Sequence, residues 1–148
     1  MTTVIENLKM PIPVFLEDCV SSFVDFQNKT FKFVFKNKDL SYENQQLKIK
    51  NLEVAFLLSE NFLDEVFVPP VRILKFNKRY NRSIVRHGTL KEFVLLIRKK
   101  NYGLKFCATY YNESKCLLIL KPIKDGILQD RIEYHIELSC EKIVYSVD

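Results

Sequence analysis

Pro11-Ile-Pro-Val-Phe-Leu-Glu-Asp-Cys-Val-Ser-Ser-Phe-Val-Asp-Phe26 is the stretch whose reading decides the fold. From Val14 to Phe26, the apolar residues Phe15, Cys19, Val20, Phe23 and Phe26 recur at helical spacing, with Glu17, Asp18, Ser21, Ser22 and Asp25 on the other side. Pro11 and Pro13 suit a helix entrance, where the N–H that proline lacks has no partner to lose. The spacing predicts an amphipathic helix over 14–26.

Strands follow on the C-terminal side. Thr30 to Lys36 alternates, with Phe31, Phe33 and Phe35 on a core face and Lys32, Val34 and Lys36 opposite. Asn37, Lys38 and Asp39 read as a turn. Leu47 and Ile49 open a second alternating run, which continues after a bulge at Lys50 and Asn51 through Leu52, Val54, Phe56 and Leu58. Asn61 to Phe67 reads as a short helical turn ending before Pro69-Pro70, which enforce extension. Val71 to Phe76 is a strand, and Asn77 to His87 a polar, basic connection.

Thr89 opens the second helix. Thr89-Leu-Lys-Glu92 fits a capping box, Leu90, Phe93, Val94 and Ile97 line one stripe, and Arg98, Lys99 and Lys100 complement the dipole in the last turn. Gly103 is placed to take the left-handed cap. Leu104–Tyr111 and Cys116–Lys121 form a hairpin across Asn112–Lys115, and Asp125-Gly126 marks another turn. Ile132 to Cys140 alternates, and a last strand covers Lys142 to Val147. The expected fold is α+β: a mostly antiparallel sheet of about seven strands with two main helices. At 148 residues, with 47% hydrophobic and 28% charged residues, residues 1–148 are expected to form one domain with a real core. No run reaches the ~18 apolar residues of a membrane span. Met1 to Met10 includes Glu6 and lacks a continuous apolar stretch, so a signal peptide is not expected. A cytoplasmic or nuclear setting follows.

Charge is the feature that speaks to function. Eleven of the 23 Lys and Arg lie between Arg72 and Lys105, against a single acid, Glu92, giving that window +10 within a chain of net +5. Concentrated cations attract polyanions by releasing their counterions. The candidate contacts are Lys75, Lys78, Arg79, Tyr80, Arg82 and Arg86, with a second group at Arg98, Lys99 and Lys100. The cations suit phosphates, Tyr80 suits base stacking, and Asn77 and Asn81 suit base edges or riboses. An irregular Arg/Asn/Tyr loop fits single-stranded or folded RNA better than it fits major-groove reading.

Catalytic, cofactor and metal sites are not expected. The three glycines, Gly88, Gly103 and Gly126, form no phosphate loop. Cys19, Cys107, Cys116 and Cys140 contain no C-x-x-C pair, and are read as buried or free thiols. His135, between Tyr134 and Ile136, is read as an outward or edge residue with Glu133 and Glu137 on the opposite side. Neither it nor His87 has a nucleophile assigned by spacing.

The order of elements resembles one domain of the eukaryotic sliding clamps and their checkpoint-clamp relatives. The resemblance is carried by Glu53-Val-Ala-Phe-Leu-Leu-Ser-Glu-Asn-Phe-Leu-Asp-Glu-Val-Phe67 as strand and acidic-aromatic turn, Thr89–Asn101 as second helix, and Asp130-Arg-Ile-Glu-Tyr-His-Ile-Glu-Leu138 as closing strand. It implies a clamp-like, DNA-encircling subunit. Clamp chains usually carry two such domains, with DNA-facing charge on inner helices, whereas 14–26 holds three acids and no base. The reading that follows from the residues is a non-enzymatic, nucleic-acid-associated binding protein, RNA favoured, acting in a multi-subunit complex. The alternative is an interaction subunit whose basic face meets an acidic protein.

Overall fold

The computed structural model describes residues 3–7, 16, 18–42, 45–59, 71–77, 82–111 and 115–147, with the backbone alone at 3–7, 37–42, 45–47, 49, 82–84 and 147. Its strands are β1 (Thr3–Asn7), β2 (Val20–Ser21), β3 (Phe23–Gln27), β4 (Thr30–Tyr42), β5 (Gln45–Leu58), β6 (Val71–Asn77), β7 (Arg82–Gly88), β8 (Gly103–Tyr111), β9 (Lys115–Lys124), β10 (Ile127–Leu128) and β11 (Ile132–Val147). The one helix among the described residues, α1, spans Leu90–Lys100. The expected α+β fold with two main helices is therefore corrected to a mostly antiparallel β fold, with eleven strands and a single helix among the described residues.

Val14–Phe26 is where the expectation fails. Over its described part the chain forms β2 and β3, not a helix. Leu16, Cys19, Ser21 and Val24 are buried, whereas Val20 and Phe23 are each 44% exposed. Two short alternating runs, Cys19/Ser21 and Val24/Phe26, are joined out of phase at Ser22. That one-residue slip gives apolar gaps that imitate a helical period. Ser21 holds the corner: its buried hydroxyl donates to the carbonyls of Phe23 (2.8 Å) and Val34 (3.1 Å), and the Ser22 N–H donates to Val34 as well (2.9 Å).

Neighbouring strands run β2-β8-β9-β11-β5-β4-β3. The path starts and ends on strands one residue apart, so the chain itself brings its two ends together at Ser22. β11 serves both halves: 132–139 pairs with β9 and β6, and from Cys140 the strand pairs with β5 and then β1, with a register shift in the β5 ladder between Cys140 and Lys142. Such an irregularity lets one strand bend between two packing directions. β4 and β5 keep one register from Thr30↔Leu57 to Tyr42↔Gln45. Neither the turn at 37–39 nor the bulge at Lys50–Asn51 is present in that ladder. The expected Asn61–Phe67 turn lies outside the described residues.

The interior is aromatic. Phe31, Phe33 and Phe35 are fully buried, as their alternation requires, and Phe106 on β8 lies edge-on to Phe33 (4.9 Å) and Phe35 (5.2 Å). α1 buries Leu90, Phe93, Val94 and Ile97. Phe93 packs on Phe31 (6.3 Å) and Tyr134 (5.1 Å), which docks the helix on the core.

Candidate nucleic-acid interface

The stretch read as a connection after Phe76 is half of a hairpin. β6 and β7 pair in seven steps, from Val71↔Gly88 to Asn77↔Arg82. Ile84 and Val85 supply the β-branched character that the surrounding cations obscure. On its other side β6 pairs with β11 only as far as Lys75↔Ile132. Exposure rises along β6 from buried Val71 to exposed Lys75, Phe76 and Asn77. The hairpin thus projects past the sheet as a finger. Arg86 lies opposite Ile73, so it shares a face with Lys75, and Arg82 takes the position opposite Asn77. Phe76, 40% exposed, and Val85, 47% exposed, share the other face. Period-two counting carried beyond Ile73 would have revealed Phe76 as a surface aromatic.

The candidate cations do not stay together. Lys78, Arg79 and Tyr80 lie outside the described residues, and Arg82 is placed by its backbone alone. Lys75, Arg86, Lys99 and Lys100 are exposed, and none of them lies in an ion pair among the described residues. Arg98 is engaged at home. Its guanidinium donates to Asp25 Oδ1 (3.0 Å) and to the Val24 carbonyl (3.3 Å), and sits 4.7 Å from the Phe23 ring centre. Arg72 pairs with Glu137 (3.1 Å) and Lys105 with Asp18 (3.6 Å). Among the described residues, the candidate cations outside ion pairs form two groups, Lys75 and Arg86 on the hairpin and Lys99 and Lys100 at the helix end, with α1 between them in the chain, ~16 Å long at 1.5 Å per residue.

Local sequence explains how α1 joins them. Thr89 Oγ1 accepts from the Glu92 N–H (3.2 Å) and its hydroxyl contacts the Glu92 carboxylate (3.3 Å). The helix ends at Asn101, whose φ of 52° and ψ of 44° are left-handed, while the N–H groups of Asn101 and Tyr102 return to Arg98 and Ile97. The left-handed cap expected at Gly103 therefore falls on Asn101. Gly103 instead opens β8 close under β2: a Cβ there would stand 3.3 Å from Val20 Cγ1.

Titratable groups elsewhere do not assemble a centre. His135 bonds through Nε2 to Glu133 Oε1, so the two share a face, correcting the placement of Glu133 opposite it; residues two apart on a strand point the same way. His87 is exposed on β7. Among the described residues no three His, Cys, Asp or Glu cluster as metal ligands, and no helix is long and apolar enough to cross a membrane. None of the four cysteines is in a disulfide. Burial pushes the Cys107 thiol and the Tyr134 and Tyr145 phenols up, and the hydrogen bond that Lys121 donates to the Asp130 carboxylate holds its ammonium above its ordinary range.

No known protein family, curated protein or solved structure matches the chain. The clamp resemblance rests on element order alone, and over 20–27 its first helix is replaced by β2 and β3.

Proposed function

We propose that the β6–β7 hairpin is the nucleic-acid contact of a non-enzymatic binding protein working in a larger assembly, in cytoplasm or nucleus. RNA, single-stranded or folded, is the favoured ligand over DNA. The observation that supports this reading is a projecting finger whose Lys75 and Arg86 share one exposed face, with no acid among the described residues paired to either. Unpaired cations release counterions on meeting phosphate, whereas cations already paired to carboxylates gain little. Exposed Phe76 on the same finger suits base stacking. Arg98, bonded to Asp25 and Val24, is left out of the contact set.

The test is fluorescence anisotropy of labelled single-stranded RNA, duplex DNA and an acidic peptide over a range of salt. Lys75→Ala/Arg86→Ala should weaken RNA binding and lower the salt slope by about two units, since each phosphate contact contributes about 0.7–0.9. Unchanged slope and affinity in the folded variant rejects the hairpin. Binding of the acidic peptide alone moves the function to the interaction subunit.

A further inference from the structure

We infer that Cys116 and Cys140 form an oxidative modification site, a buried thiol pair that a hydroperoxide closes to a disulfide joining β9 and β11. Both face the interior, 3% and 7% exposed. The β9–β11 register sets Leu138 opposite Cys116, so Cys140 is the diagonal neighbour on the same face. Hydrogen bonding between the two thiols pushes the Cys116 thiol up and draws the Cys140 thiol down. That bond favours the thiolate at Cys140, the form that attacks peroxide. Cys107 is more open, but burial holds it as the thiol, so exposure and reactivity point to different cysteines.

The chemistry closes on one oxidant. Cys140 thiolate attacks a peroxide oxygen, the O–O bond breaks, and hydroxide leaves with the electron pair and takes up a proton. Cys116 sulfur then displaces water from the sulfenic acid. Two thiols and one hydrogen peroxide give one disulfide and two waters. Diagonal Cα atoms usually stand about 7–8 Å apart, just beyond the roughly 4.4–6.8 Å that a disulfide spans. Closure therefore draws β11 toward β9. The register shift between Cys140 and Lys142 supplies the place to yield, at the bend where β11 changes partners.

Hydrogen peroxide on the folded full-length chain, followed by non-reducing digestion and mass spectrometry, reads this directly. The first product should be a Cys116–Cys140 linked peptide, two hydrogen atoms lighter than the sum of its parts. It should form faster than the protein unfolds, as timed separately in urea. Cys116→Ser should leave a Cys140 sulfenic acid that dimedone traps, and Cys107→Ser should change nothing. Oxidation first at Cys107, no link at all, or a link that appears only at the unfolding rate overturns the assignment. The wild-type map decides even if a serine variant folds poorly.

Discussion

Arg98→Ala separates a structural cation from a ligand-binding one. The side chain is 45% exposed and its partner Asp25 22%, so the ion pair lies near the surface and contributes about 0.5–1 kcal/mol. The bond from Nε to the Val24 carbonyl is partly buried and charge-assisted, about 1 kcal/mol. The Phe23 contact at 4.7 Å adds about 0.5 kcal/mol. These share one side chain and do not add in full, so the expected loss is about 2 kcal/mol. With a urea m-value of about 2 kcal/mol/M, the midpoint falls by about 1 M. Arg98→Lys keeps the charge at the helix end but cannot reproduce both bonds, and should lose about half as much. RNA affinity and its salt slope should stay at wild-type values in both variants at temperatures where they are folded. An unchanged midpoint in Arg98→Ala, or a slope lowered by about one unit, refutes the view that this residue is a staple between α1 and β3.

Thr89→Ala should cost about 1 kcal/mol in the same urea assay, because the Glu92 N–H loses its acceptor. Tyr145→Phe should be neutral or raise stability by up to about 1 kcal/mol, since the Tyr145 hydroxyl is buried with no hydrogen-bond partner among the described residues. Stability should fall as pH rises above about 10, the ordinary tyrosine value. Burial holds Tyr134 and Tyr145 protonated in the fold after the unfolded chain has begun to ionise, and a Tyr134→Phe/Tyr145→Phe variant should blunt that fall in pH-dependent urea titrations.

What the sequence made legible was what local chemistry decides. α1 was readable because cap, apolar stripe and basic last turn all lie within thirteen residues of Thr89, and each is visible without knowing a distant neighbour. The Phe31/Phe33/Phe35 face was readable for the same reason. Val14–Phe26 was misread because its phase slips at Ser22, and that slip exists only because Val34, on another strand, accepts the bonds that hold the corner. β7 was missed because cations and polar residues outnumber Ile84 and Val85 in its neighbourhood. Its strand state comes from pairing with β6, a property of the ladder rather than of composition. The left-handed residue fell on Asn101 because asparagine tolerates that conformation and the helix ends there, two residues before the glycine.

Charge shows the same division more sharply. The +10 window was plain in the sequence, but its partners were not, because they lie far away along the chain: Glu137 is 65 residues from Arg72, and Asp25 is 73 from Arg98. Acids outside the window cancel part of it in place, so the cations left to act are fewer and local. Salt of physiological strength screens over ~8 Å, about half the length of α1. The hairpin leads into the first turn of α1 and Lys99 and Lys100 close its last, so a small anion is expected to meet one group and a long polyanion both. Oligonucleotide length is the discriminating variable. Lys75→Ala/Arg86→Ala should weaken short and long RNA alike, whereas Lys99→Ala/Lys100→Ala should weaken only RNA long enough to cross the helix. Equal losses from both variants on the shortest RNA that binds would mean that the two groups meet one phosphate cluster, contrary to their placement at opposite ends of α1.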